Sequence, residues 1–130
     1  MIACATIVKK GKVLLVKHSG VDKPDFGHWL LPAGSVEEGE TVEDALKREV
    51  EEELGVKVRM VRKLTEHADP YTGDRLVNIL CIPLTSRIKA SAELSETRWF
   101  NAKEIRHLSQ VHEGLKEFLT HGLESNSFQE

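Results

Sequence analysis

A chain of 130 residues, 40% hydrophobic and 30% charged, has the composition of one soluble domain with a single core. Its formal net charge of −3 argues against wrapping a nucleic-acid polymer or lying on an anionic membrane. No apolar run approaches the ~20 residues of a membrane span. The opening MIACATIVKKGK is strand-like with no basic stretch ahead of its apolar run, so no signal peptide and a cytoplasmic location are expected.

In chain order, residues 2–8 and 13–16 are apolar and rich in β-branched side chains, with Gly11 between them. They predict a hairpin of buried strands. Residues 19–28, SGVDKPDFGH, read as a loop, residues 29–31 as a brief strand, and residues 31–34 with Gly39 as a second loop. A helix is predicted over 41–54. Thr41 and Asp44 suit a capping box, and Leu46, Val50 and Leu54 form an apolar row. Gly55 stands where a left-handed residue ends a helix. Residues 56–64 alternate apolar and basic side chains, as in a strand with one wet face. A turn at 69–74 leads to a buried strand at 76–84, then a loop at 85–94 and a short strand at 97–100.

Asn101 is placed as the N-cap of a helix over 102–108. Ser109 is placed as the cap of a last helix carrying Val111, Leu115, Phe118 and Leu119 at helical spacing. The expected domain is 1–123, with 124–130 a frayed polar tail. Cys4 and Cys81 both lie in apolar runs, so buried, reduced thiols are expected rather than a disulfide or metal pair. Strands interrupted by a central helix and closed by terminal helices predict a mixed β-sheet between helical layers, an α/β class.

The chemistry is concentrated in residues 34–56, GSVEEGETVEDALKREVEEELGV. Glu49, Glu52 and Glu53 are related as i, i+3 and i+4 and share one helix face, whereas Glu51 points away. Like charges so placed oppose the helix by roughly a few tenths of a kcal/mol per pair. A helix needed only for solubility would interleave lysines, while a hard divalent cation favours such an oxygen-rich, negative site. Arg48 stands four residues before Glu52 and can brace it by an ion pair.

These residues resemble the Nudix family. Its box is Gly, five residues, Glu, seven residues, Arg-Glu, an apolar residue, any residue, Glu-Glu, any residue, Gly and an apolar residue. Gly34, Glu40, Arg48, Glu49, Val50, Glu52, Glu53, Gly55 and Val56 fill it without departure. At ~7% usage per fixed residue, a chance match is on the order of one in a hundred million per start position. Many relatives read Pro-Gly-Gly where this chain reads Pro32-Ala33-Gly34, and alanine keeps the backbone carbonyl while disfavouring positive φ.

The resemblance implies a Nudix-type α/β/α sandwich and hydrolysis of a phosphoanhydride. It implies that Mg²⁺, for which Mn²⁺ can substitute, is held by Glu49, Glu52, Glu53 and the carbonyl of Ala33. One of these carboxylates or a loop glutamate then serves as general base. Arg48 orients, Glu40 supports the loop, and Glu93 or Glu96 is a further acidic candidate, with Glu93 chosen. His18 and His28 flank the loop beside the box and could reach phosphate, as could Lys17 and Arg75. Tyr71 and Phe26 could stack on a base. Tyr71 and Phe26 are equally at home as packing residues, and an ordinary surface position is the better reading of the histidines, Lys17 and Arg75.

The expected partner is a small nucleotide; a homodimer is left open. The favoured substrate is a nucleoside diphosphate linked to another moiety, ADP-ribose or a sugar nucleotide. Pro70 and Tyr71 lie about fifteen residues past the box. By resemblance, a proline there is associated with ADP-ribose hydrolases, and a tyrosine slightly further on with dinucleoside polyphosphate hydrolases. The rivals are a pyrophosphohydrolase of (deoxy)nucleoside triphosphates, a dinucleoside polyphosphate hydrolase, and an isomerase of an isoprenoid diphosphate on the same fold. A non-catalytic nucleotide-sensing module is the rival of another class.

Overall fold

The computed structural model describes residues 1–22, 25–69 and 72–130. Strands β1 (Ile2–Lys9) and β2 (Lys12–His18) are joined by Lys10 and Gly11, at φ 50° and 76°. A two-residue turn with both φ positive matches the right-handed twist of the strands, which is why glycine follows the lysine. The strands pair only beside the turn, at Val8↔Val13 and Lys9↔Lys12.

Beyond that point they diverge, and residues 30–35 wedge between them. Leu30 bridges Val16, the Ala5 N–H donates to the Pro32 carbonyl at 2.8 Å, and β3 (Ala33–Ser35) pairs with Ile2, Ala3 and Cys4. The strand expected at 29–31 is therefore a single bridge at Leu30, and residues 33–34, expected in a loop, are strand. The physical reason is the open edge that β1 presents once β2 has left it, since its buried backbone groups must find partners.

On its other side β1 runs parallel to β5 (Arg75–Pro83), from Ile2↔Leu76 to Ile7↔Cys81. Strand β4 (Val58–Ala68) lies antiparallel outside β5, and β6 (Leu94–Phe100) antiparallel along β2. The result is a mixed six-stranded sheet in the order β4-β5-β1-β2-β6, with β3 against β1. Strand β4 outruns its apolar alternation because register shifts between Met60 and Arg62, and between Lys63 and Thr65, break the two-residue period.

Helix α1 (Val42–Leu54) covers one face of the sheet. Leu46, Val50 and Leu54 pack there on Ala3, Ala5, Ile7, Leu14, Val16, Val77 and Ile79. The short α2 (Ala102–Arg106) and α3 (Glu113–Glu124) cover the other face, with Ile105 and Leu119 on Val13, Leu15, Trp29, Leu80 and Phe100. The helical layers on both sides make this the expected α/β/α sandwich. Cys4 and Cys81 are buried free thiols, pushed up to about 12 by desolvation. Among the described residues, no helix is long and apolar enough to cross a membrane.

Three terminal expectations are corrected. Asn101 caps α2 with a full capping box through Glu104, but the helix ends at Arg106 rather than residue 108. Helix α3 begins after His112, not Ser109, and Val111 is buried ahead of it. The Gln110 carbonyl accepts from the Trp29 N–H at 2.7 Å, which ties this stretch to the wedge segment before the helix can start. The tail expected to fray is docked. Phe128 is 5% exposed with its ring centroid 5.4 Å from that of Phe118, and Arg62 donates to the carbonyls of Ser127 and Gln129. One aromatic side chain carries enough apolar area to hold an otherwise polar tail.

Candidate active site

The wedge segment and α1 meet at Gly34. A Cβ on this residue would lie 2.1 Å from Cδ of Glu49. The glycine is thus needed for close approach, and its hydrogen leaves the space that the Glu49 carboxylate fills. Ala33 has no positive φ to satisfy: Lys10 is the only non-glycine residue with one among the described residues.

Helix α1 is fixed at both ends. The Asp44 N–H donates to the Thr41 hydroxyl at 3.0 Å, with Glu43 and Asp44 in the first turn complementing the helix dipole. Gly55, at φ 64°, donates back to the Glu51 carbonyl. The carbonyls of Glu53 and Leu54 accept from Ser91 at 2.8 Å and Lys89 at 2.7 Å. These bonds draw the loop before β6 onto the helix end. The Ser19 N–H, at the end of β2, donates to the Glu93 carbonyl at 2.9 Å, so Glu93 is held beside Glu53 from both sides.

Arg48 organises the opposite flank. Its Nε and Nη2 grip Glu40 at 2.8 and 2.9 Å, Nη1 donates to Glu49 at 2.8 Å, and Nη2 also reaches the Ser35 carbonyl at 3.1 Å. The contact with Glu52 foreseen from the spacing is the long one, at 3.5 Å. Glu40 also accepts from the Glu37 N–H at 2.9 Å, so it joins the loop to the helix. The guanidinium first, and this amide second, hold its carboxyl at about 2.

Glu53 is the electrostatic outlier. It is 5% exposed, and its Oε2 has no hydrogen-bond partner among the described residues. Burial first, then the charges of Glu49, Glu93 and Glu52, push its carboxyl up to about 7. A buried carboxylate oxygen without a donor, beside further carboxylates, is costly unless a cation compensates it. The chemistry of these residues therefore fits a hard divalent cation, for which carboxylate oxygens of Glu49, Glu52 and Glu53 and the Ala33 carbonyl would be the donors. Among the described residues, no three acidic, histidine or cysteine side chains yet converge on one point, and Arg48 holds Glu49 and approaches Glu52.

Glu49 and Glu53 open into a cleft of about 750 Å³, within the usual range for a small-molecule site. It is lined by the wedge segment from Ala33 to Ser35, by Glu49, Glu53 and Glu93, and by Ile2, His18, Ser19, Gly20 and Asp25. Its ionisable lining is acidic apart from His18, a poor surface for a phosphate unless a cation sits in it.

Comparison with known proteins matches residues 2–121 to the NUDIX domain. The chain belongs to the Nudix family. A human relative, NAD-capped RNA hydrolase NUDT12, is 38% identical over 80 residues, which is 61% of this chain and 17% of the relative. An ADP-ribose pyrophosphatase of Methanocaldococcus jannaschii is 32% identical over 111 residues, covering 82% of this chain and 64% of that protein. The chain thus spans about a sixth of NUDT12 and just under two thirds of the archaeal relative. A solved Nudix hydrolase structure from Nitrosomonas europaea superposes with a TM-score of 0.79 at 24% identity, covering 95% of this chain and 69% of the other, and shares the fold.

The structure brings the Nudix-box residues Gly34, Glu40, Arg48, Glu49, Glu52 and Glu53 together around one cleft edge, and adds Glu93. Others expected at the substrate lie elsewhere. His28 stacks on His112, with ring centroids 4.4 Å apart and planes 4° apart, and does not line the cleft. Lys17 points to the α3 side, donating to Gln110 at 2.9 Å and resting 4.8 Å from the Trp29 ring centroid. Arg75 is paired with Glu66 at 2.9 Å, and Glu96 faces Lys17 at 3.8 Å. Phe26 is exposed on the loop whose Asp25 lines the cleft. Pro70 and Tyr71 lie outside the described residues. Asp25, Ser19 and Gly20 are cleft residues that carry no motif; only the fold reveals them.

Proposed function

We propose that this Nudix chain is a Mg²⁺-dependent hydrolase that splits the phosphoanhydride of a nucleoside diphosphate linked to another moiety, with ADP-ribose or a sugar nucleotide as substrate. The observation that carries the reading is Glu53: buried, with an oxygen lacking a donor among the described residues, and crowded by Glu49, Glu52 and Glu93. Glu49, Glu52, Glu53 and the Ala33 carbonyl hold the cation. When bound, the cation supplies the positive charge that lets phosphate enter and lowers the pKa of an attacking water. Arg48 orients Glu49 and ties the helix to the loop through Glu40. Glu93, a cleft carboxylate outside the cation's ligand set, accepts the proton from the water; Glu53 takes that role only where it does not ligate the cation. Phe26, exposed next to the cleft residue Asp25, offers a face on which a base can stack.

The substrate choice is supported by the size of the cleft and by the archaeal relative's name. The Asp69-Pro70 pair in the sequence points the same way, a cue blunted by the adjacent Tyr71. A nucleoside triphosphate is the competing substrate, and a sensing module is disfavoured because binding alone needs no complete set of carboxylates. Steady-state kcat/KM for ADP-ribose, sugar nucleotides, dinucleoside polyphosphates and (deoxy)nucleoside triphosphates with Mg²⁺ tests the choice. A triphosphate preferred tenfold or more, about 1.4 kcal/mol of transition-state discrimination, overturns it. No turnover of any of them removes the enzymatic reading.

A further inference from the structure

Strand β2 sends alternate side chains to opposite faces of the sheet. Val13 and Leu15 pack on the α2–α3 side, and Lys17 continues that row onto Trp29 and Gln110. Leu14 and Val16 pack on the α1 side, and His18 continues that row to the strand end, where it lines the cleft. Its pairing partner on β6 is Leu94, next to Glu93, and the register shifts between Lys17 and His18. Such an irregularity re-aims a side chain at a strand end. His18 is half-buried, and its imidazole has no hydrogen bond or ion pair to the described residues.

The rest of the ionisable lining, Asp25, Glu49, Glu53 and Glu93, can only accept when charged. The Ser19 hydroxyl is spent on the Ala92 carbonyl at 3.1 Å. His18 is therefore the side-chain nitrogen donor that the described lining offers to a phosphate oxygen.

We propose that His18 is a specificity-determining residue: its ring N–H donates to the phosphate of the substrate that lies away from the carboxylate cluster. This rests on the reading of the cleft as a diphosphate site, and predicts a preference for ligands that carry a second phosphate.

The test is calorimetric binding of ADP and AMP, each with Mg²⁺, to the wild type, His18→Ala and His18→Gln. Binding of Mn²⁺ alone is followed in parallel by electron paramagnetic resonance. A hydrogen bond to a charged group predicts roughly a tenfold loss of ADP affinity in His18→Ala. AMP and Mn²⁺ affinities stay unchanged, and part of the loss is restored in His18→Gln, whose amide N–H can replace the imidazole donor. ADP bound equally by all three proteins overturns the proposal, as does undetectable ADP binding by the wild type. Loss of Mn²⁺ binding in parallel with ADP also overturns it, because His18 then acts on the cation cluster. A wild type that binds ADP through His18 but hydrolyses no diphosphate leaves this proposal standing and removes the catalytic one.

Discussion

Glu53→Gln separates function from stability in opposite directions. In the metal-free protein the Glu53 carboxylate is buried and crowded by like charges, and its folded-state pKa rises from 4.5 to about 7. An acid whose pKa is raised by folding does no harm below its unfolded value, where both states are protonated. The penalty grows as pH climbs from 4.5 and is complete above about 7. At that plateau it amounts to about 3 kcal/mol as an upper figure, at ~1.36 kcal/mol per pKa unit. Glutamine keeps the shape and removes the charge.

In EDTA at pH 8, Glu53→Gln should therefore be more stable than the wild type by about 1–3 kcal/mol, roughly 4–10 °C in Tm for a domain of this size. The gain should vanish at pH 4. In saturating Mg²⁺ the order should reverse, because only the wild type gains binding energy from the cation. Thermal melts of both proteins at pH 4, 6 and 8, with EDTA or Mg²⁺, measure all of this. A Glu53→Gln protein that is destabilised in EDTA at pH 8, or a difference that does not depend on pH, would show that Glu53 is not a buried, crowded carboxylate.

Gly34→Ala places a Cβ where the Glu49 carboxylate packs, and misplacing such a group by about 1 Å should lower kcat roughly a hundredfold; activity with a circular dichroism control checks it. Arg48→Lys keeps the charge but loses the fork that grips Glu40 and Glu49. It should lower turnover at least roughly tenfold while the Tm stays close to that of the wild type. Near-normal turnover would reduce Arg48 to a surface ion pair. Glu40, held at about 2 by Arg48, contributes stability that is present above 4.5 and lost as pH falls towards 2. Acid unfolding curves of Glu40→Gln should therefore be flatter than the wild type's in that window, and superposable curves would contradict the ion pair's role.

The Nudix-box helix is legible in the sequence because its signals are local. Thr41, the Leu46, Val50 and Leu54 row, and Gly55 each act within a turn or two, and the carboxylate face follows from helical spacing alone. What escaped depends on contacts distant in sequence. Residues 33–35 form a strand because β1 has lost β2, which nothing in Ala-Gly-Ser announces. His18 and His28 look equivalent as two histidines flanking one loop. Strand alternation aims the first into the cleft, whereas the wedge segment stacks the second on His112. Phe128 was hidden by its polar neighbours, although one aromatic outweighs them once Phe118 is within reach. The apolar row from Val111 was real in direction, but Gln110 is tied to Trp29 and the helix starts later than the spacing implies.

If these carboxylates hold a cation for phosphoanhydride hydrolysis, removing one of them must abolish turnover. Turnover of ADP-ribose by wild type and Glu52→Gln across a Mg²⁺ titration tests it most directly. Glu52 is the solvent-exposed member of the trio, so the substitution should leave the fold intact. Glu52→Gln should lose nearly all activity, on the order of a thousandfold in kcat, and added Mg²⁺ should not restore it. Unchanged turnover of Glu52→Gln at saturating Mg²⁺ would contradict it.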